Sequence, residues 1–252
     1  MPNVYINGVK YHYAAGVPRS EPAAAVILVH GAGGNHRHWD YQTAALGECF
    51  LTLAVDLPGH GLSAGKPAGD ISRYTDFLLD FAKHVVGAPF FLAGHSMGGA
   101  ITLDFALRYP GQLKGLLLVA TGAKLRAAPA MLEIFGSGEH FLPLIDLAYG
   151  SGTDPKLLDL ARQELKDTDP ATYHSDFQAC NNFDVMDRLQ DIVSPTLVLG
   201  ASEDRLTPVK YSRYLAEKIR QARLEIVEGS GHMVMLEKPA EVNSHIKKFV
   251  NC

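Results

Sequence analysis

The sequence lacks the features that would mark several functional classes. Its three cysteines, Cys49, Cys180 and Cys252, are far apart and odd in number. They supply neither a disulfide framework nor a CxxC metal or redox pair, which favours a reducing, cytoplasmic setting. No charge of one sign dominates. The 23 Lys and Arg against 27 Asp and Glu leave a net charge of −4, with no basic cluster to follow a phosphate backbone. Nucleic acid is therefore not an expected partner. Gly, Pro and His interrupt every apolar stretch before it reaches the roughly 20 residues of a membrane span. The opening "MPNVYINGVKYHY" has no basic start and no continuous apolar run, so no export signal is expected. Internal repeats and low-complexity tracts are also missing. What remains is expected to be a soluble globular chain, long enough at 252 residues for one large α/β domain or two small ones.

What is present is a rhythm. "VYI-NG-VKYHY" reads as two short strands joined by Asn7-Gly8, the favoured type I′ hairpin turn. Six apolar runs of strand length follow: "AAAVILVHG", "CFLTLAVDLPGHG", "PFFLAGHS", "LKGLLLVATG", "SPTLVLGASED" and "RLEIVEGSGH". Each is nearly continuous, as in parallel strands covered on both faces. Segments of helical period separate most of them, such as "ISRYTDFLLDFAKHVV" and "PVKYSRYLAEKIRQA". The fold class is therefore α/β, a mostly parallel sheet with helices on both faces. Residues 123–191 break the rhythm with no convincing strand. "DPKLLDLARQELKD" there reads as a helix, with Asp154 as N-cap and Pro155 in its first turn. The expected organisation is a core of residues 1–122 and 192–252, with 123–191 as a helical insertion over the strand ends.

Every chemically suggestive segment falls at the C-terminal end of a predicted strand, where open α/β sheets bind ligands. "GHSMG", residues 94–98, matches G-x-S-x-G between a strand and a helix. A sharp turn there would strain Ser96 and tolerate no bulk two residues to either side. The helix that follows would aim its N-terminal amides at developing negative charge. A serine hydroxyl needs a base, and His232, in "EGSGHMVMLEKP" after the last strand, is the choice among 11 histidines. Of Glu203 and Asp204 after the preceding strand, Asp204 is expected to orient that base, being further past the strand end and shorter. The order Ser, Asp, His suits this fold. "HGAGGNHRHW" after the third strand is expected to supply the Ala32 amide, and Met97 its own amide, as oxyanion donors.

Milder roles suit the rest. His12, His84, His140, His174 and His245 are expected at the surface or at caps. His36 and His38 form only a weak metal pair without a matching cluster, so no metal is expected. In "DLPGHGLS", Asp56 and His60 are expected to tie down a tight turn. Trp39 is expected to pack. His95, beside the serine, is expected to point away from the site.

Taken together, the HGxGG loop, DLPGHGxS, GHSMGG, Asp204 and GxGHMxxxEKP make the chain resemble the α/β-hydrolase fold superfamily over almost its whole length. Its compact esterase-like members are the nearest match: carboxylesterases, pimeloyl-carrier-protein methyl esterases, enol-lactone hydrolases and monoacylglycerol lipases. The resemblance implies an eight-stranded α/β-hydrolase sheet with a helical cap insertion. It also implies hydrolysis of a small-molecule ester, thioester or lactone without any cofactor. Ser96 disfavours the haloalkane dehalogenases and epoxide hydrolases, which carry Asp there. C–C bond hydrolysis, perhydrolysis and a receptor with negligible turnover are the alternatives. Apolar cap residues, among them Met131, Phe135, Phe141, Leu142, Leu144 and Ile145, are expected to line an acyl pocket.

Overall fold

Asn7 and Gly8 take positive φ, 51° and 80°, as a type I′ turn requires, and join β1 (Asn3–Ile6) to β2 (Val9–Gly16). This computed structural model describes residues 2–18 and 24–251. The continuous apolar runs form the parallel strands. These are β3 (Ala25–Val29), β4 (Leu51–Val55), β5 (Phe90–His95), β6 (Leu113–Val119), β7 (Thr196–Ala201) and β8 (Ala222–Val227). The sheet order is β1-β2-β4-β3-β5-β6-β7-β8. Only the β1–β2 and β2–β4 pairs are antiparallel.

Alternation along each strand divides the core into two layers. Ile27 and Val29 of β3 face α2 (Ile71–Val85), α3 (Met97–Arg108) and α8 (Val209–Lys218). Val26 and Leu28 face the other layer, which holds Leu46 of α1 (Asp40–Leu46), Val234 of α9 (Val234–Glu237) and Ile246 of α10 (Pro239–Val250). All four β3 side chains are fully buried, each contributing about 1.5–3 kcal/mol. This explains why the run is continuous rather than alternating.

Between β6 and β7 the described chain contains only helices: α4 (Pro129–Gly136), α5 (Pro143–Ala148), α6 (Pro155–Asp167), α7 (Pro170–Asn182) and a 3₁₀ segment. Asp154 and Asp169 each accept the amide two residues on, with proline at the first helical position. Those Asp-Pro pairs start α6 and α7 for the same local reason. An isolated antiparallel bridge and an ion pair between Lys124 and Asp184 join the segment where it leaves and re-enters the core.

Two expectations are corrected at this level. Cys49 is disulfide-bonded, so cysteine usage no longer argues for a reducing compartment; Cys180 is free and buried, and Cys252 lies outside the described residues. His12 is buried rather than superficial, because its Nδ1 donates to Asp56 at 2.8 Å. Trp39 is fully buried in the core. No helix among the described residues is long and apolar enough to cross a membrane.

Candidate active site

The turn between β5 and α3 has the strain its sequence demands. Ser96 sits at φ 53° and ψ −115°, a backbone state costing of order 1–3 kcal/mol. A Cβ on Gly94 would lie 2.1 Å from the Gly98 carbonyl oxygen, and one on Gly98 would lie 2.3 Å from that of Val29. Both positions therefore exclude any side chain. Thr121 Oγ1 donates to the Ser96 carbonyl at 2.7 Å, and Ser96 N donates to Val119 O, holding the turn from the neighbouring strand.

His232 follows β8. Its Nδ1 lies 2.8 Å from Asp204 Oδ2 and 3.2 Å from Thr207 Oγ1, with both His232 and Asp204 buried. Asp204 accepts the amides of Leu206 and Thr207 at Oδ1 and the Thr207 hydroxyl at Oδ2, all at 2.8 Å. Burial alone would raise its pKa, but the facing imidazole and these donors hold it well below the carboxylate range. With Nδ1 committed to Asp204, Nε2 is the ring nitrogen left to accept a proton. Glu203 turns instead to the Ser151 amide. Glu237 steadies the histidine loop by accepting from Gly231 N, Gly150 N and the Thr153 hydroxyl.

Ser96, His232 and Ala32 share the wall of one cavity of about 80 Å³. Neither the Ala32 nor the Met97 amide donates to an acceptor among the described residues. Such an arrangement can transfer a proton from a hydroxyl and receive an oxyanion on backbone donors.

His95 does not point away. Its Nε2 donates to the His232 carbonyl at 3.0 Å, and the two rings lie 4.7 Å apart. As the last residue of β5, His95 shares the face of Ala93, toward the layer that holds Met233 and Val234. Burial, with the neighbouring His232 second, pushes its pKa well down and keeps it neutral.

Of the six apolar residues expected to line the pocket, Leu144 and Ile145 do so. The other four do not. Met131 and Phe135 are buried inside the helical segment, with the Phe135 ring stacked on Tyr173 at 4.8 Å and Phe177 at 5.8 Å. Phe141 packs edge-on against Phe135, and Leu142 is 49% exposed. The apolar wall is made instead by Ala148, Tyr149, Leu165, Tyr173, Phe177 and Met233. Helical period marks an apolar face but not the surface it meets, so nothing local separated these groups.

Sequence reasoning also missed two carboxylates. Glu164 of α6 lines the cavity, accepting from Asn35 Nδ2 and lying 3.1 Å from His38 Nε2. Burial opposes its charge, yet His38, Asn35 and Arg37 hold its pKa down at about 2. Asp176 of α7 is fully buried against Gly33, His60 and Tyr74. His60 thus reaches across to α7, beyond its own turn.

His12, His36 and Asp56 place one ligand-type atom each within 4.8 Å of one another, a cluster the sequence reading did not find. Both imidazole Nδ1 atoms and the amides of His36 and Leu62 converge on the Asp56 carboxylate at 2.7–3.0 Å. That donor set is spent on the carboxylate, forming a hydrogen-bond hub that ties β2 to the loops after β3 and β4.

The model of the alpha/beta hydrolase family matches residues 26–245. The RutD protein of Rhizobium rhizogenes strain K84, which carries the provisional name carbamate hydrolase, is 31% identical over 251 residues. That match covers 90% of this chain and 93% of RutD. A pimeloyl-[acyl-carrier protein] methyl ester esterase of Neisseria meningitidis is 27% identical, over 89% of this chain and 92% of its own. The solved structure of a thermophilic esterase superposes with a TM-score of 0.86 at 30% identity, over 99% of this chain and 96% of that one.

Proposed function

The chain belongs to the alpha/beta hydrolase family, and from that premise we propose that it is a serine hydrolase cleaving carboxylic esters through an acyl-enzyme on Ser96. The observation that carries this reading is the one cavity wall shared by Ser96, His232 and Ala32, with Asp204 behind His232. His232 Nε2 takes the Ser96 proton as Oγ attacks the carbonyl, then gives it to the departing alcohol. Asp204 holds the tautomer and stabilises the imidazolium. The amides of Ala32 and Met97 receive the oxyanion, each supplying on the order of 3 kcal/mol. Water deprotonated by His232 then releases the acid.

Residues 123–191 act as a cap whose Leu144, Ile145 and Tyr149 shape the acyl side of the cavity. Its volume, about 80 Å³, is well below the roughly 300–1,000 Å³ of drug-sized ligand sites. Short acyl groups are therefore the expected substrates. The relatives are esterase- and lipase-type enzymes, and the RutD match adds carbamates, whose carbonyl the same serine would attack.

Wild type and Ser96→Ala should be assayed on short-chain esters, thioesters, lactones, carbamates and vinylogous diketones, with a fluorophosphonate probe alongside. We expect ester turnover to fall by about 10⁴-fold or more in Ser96→Ala, and the probe to label Ser96 alone. Equal ester turnover in both proteins would overturn the nucleophile assignment. Turnover confined to diketones would shift the reaction class, and labelling without turnover of anything would favour a receptor.

A further inference from the structure

We propose that Asp176 is a positioning residue through which helix α7 sets the direction of the oxyanion-binding loop; the proposal rests on the serine-hydrolase reading above. Asp176 has no exposed surface. Its Oδ2 accepts the Gly33 amide and His60 Nε2, both at 2.8 Å, and its Oδ1 accepts the Tyr74 hydroxyl at 2.6 Å. The three donors come from the loop after β3, the loop after β4 and helix α2, so one carboxylate gathers three separate parts of the core.

Two planar peptide units flank Ala32, and both are held. The first contains the Gly31 carbonyl and the Ala32 N–H. That carbonyl accepts Gly34 N at 3.1 Å and His30 Nδ1 at 2.8 Å, and in a trans peptide the N–H then points the opposite way. The second unit contains the Gly33 N–H, which Asp176 holds. Rotation about Ala32 is thereby fixed from both sides, one supplied by the core and the other by α7. Tyr173, one turn earlier on α7, closes over the same point. Gly33 has φ +64°, and a Cβ there would lie 2.1 Å from the Tyr173 ring.

His60 shows that the arrangement needs a carboxylate. Its Nδ1 faces the Pro58 carbonyl at 3.1 Å while its Nε2 faces Asp176, so both nitrogens meet oxygen acceptors. A donor placement fixed before the reaction stabilises the oxyanion without reorganisation, and a loosened one loses that gain. An asparagine at 176 has one acceptor oxygen and cannot serve all three donors.

The test uses the full chain with Asp176→Asn and Tyr74→Phe. Amide hydrogen exchange over residues 30–36 reads the loop whatever the substrate. We expect it to accelerate by about tenfold or more in Asp176→Asn and by less in Tyr74→Phe, as local opening becomes easier. On an ester that the wild type turns over, kcat should fall by roughly 10–100-fold in Asp176→Asn with KM within about threefold, below the loss from deleting an oxyanion donor. Unchanged exchange, or a raised KM with kcat intact, overturns the proposal. If Asp176→Asn does not fold, Tyr74→Phe decides by the same two readouts. If the wild type neither turns over an ester nor takes the fluorophosphonate, the serine-hydrolase reading fails, while exchange still reports whether Asp176 holds the loop.

Discussion

His232–Asp204 and His60–Asp176 are nearly the same object chemically. Each is a buried imidazole 2.8 Å from a buried carboxylate that also accepts a neighbouring hydroxyl. They differ in where the second ring nitrogen goes. In His60 it is spent on the Pro58 carbonyl, and neither His60 nor Asp176 reaches the cavity. In His232 it has no hydrogen-bond partner among the described residues, and His232 lines a cavity wall that also carries Ser96. A His–Asp pair therefore acquires the means for proton transfer from an unspent nitrogen with access, not from the pairing itself. With both nitrogens spent, the same pair becomes a tie between distant elements.

The sharpest way to break that comparison is to remove each ring. His232→Gln should lower kcat by about 10⁴-fold or more. His60→Gln should lower kcat by no more than about tenfold yet cost roughly 3–5 kcal/mol in denaturant unfolding, since it leaves Asp176 unpaired. Similar kcat losses from both would erase the distinction.

A smaller effect separates the pairs by pH. Burial would lower the His60 pKa, but the charge and hydrogen bond of Asp176 raise it. Its stabilisation is complete below the unfolded value near 6.5 and is lost as pH rises through the higher folded value. Asp204, depressed in the fold, behaves oppositely. Its contribution is present above the unfolded carboxylate value of about 4 and is lost as pH falls. Unfolding free energies measured across pH should thus decline on both flanks, and His60→Gln should flatten only the alkaline one. An unchanged alkaline flank would remove His60 from the account.

The smallest contrast lies in the helical segment. Leu144→Ala, on the cavity wall, should change acyl-chain preference, whereas Leu142→Ala, half exposed, should leave preference unaltered and stability within about 0.5 kcal/mol. Chain-length profiles of the two variants check this.

Much of the frame was legible. The hairpin turn, the strand–helix alternation and the steric exclusion at Gly94 and Gly98 are local consequences of side-chain size and spacing. Asp204 rather than Glu203 lies against His232, and the "DRLTP" turn wraps that carboxylate in its own amides. His95 was misread because it follows the alternation of β5 and shares the face of Ala93, the layer that also holds Met233 and Val234 beside His232. Met131 and Phe135 were misread because an apolar stripe looks alike whether it meets a cavity or another helix.

Sequence alone determined which segments are strands and helices, where the strained turn falls, and which residue types stand at the strand ends. Sterics and hydrophobic period act over a few neighbouring residues, and so they can be read along the chain. Only the tertiary structure decided that a carboxylate of the helical segment meets His60 and Gly33. Asp176 lies 116 residues from His60 and 143 from Gly33. A hydrogen bond between such groups depends on how α7 packs over the strand ends, and no local pattern encodes that.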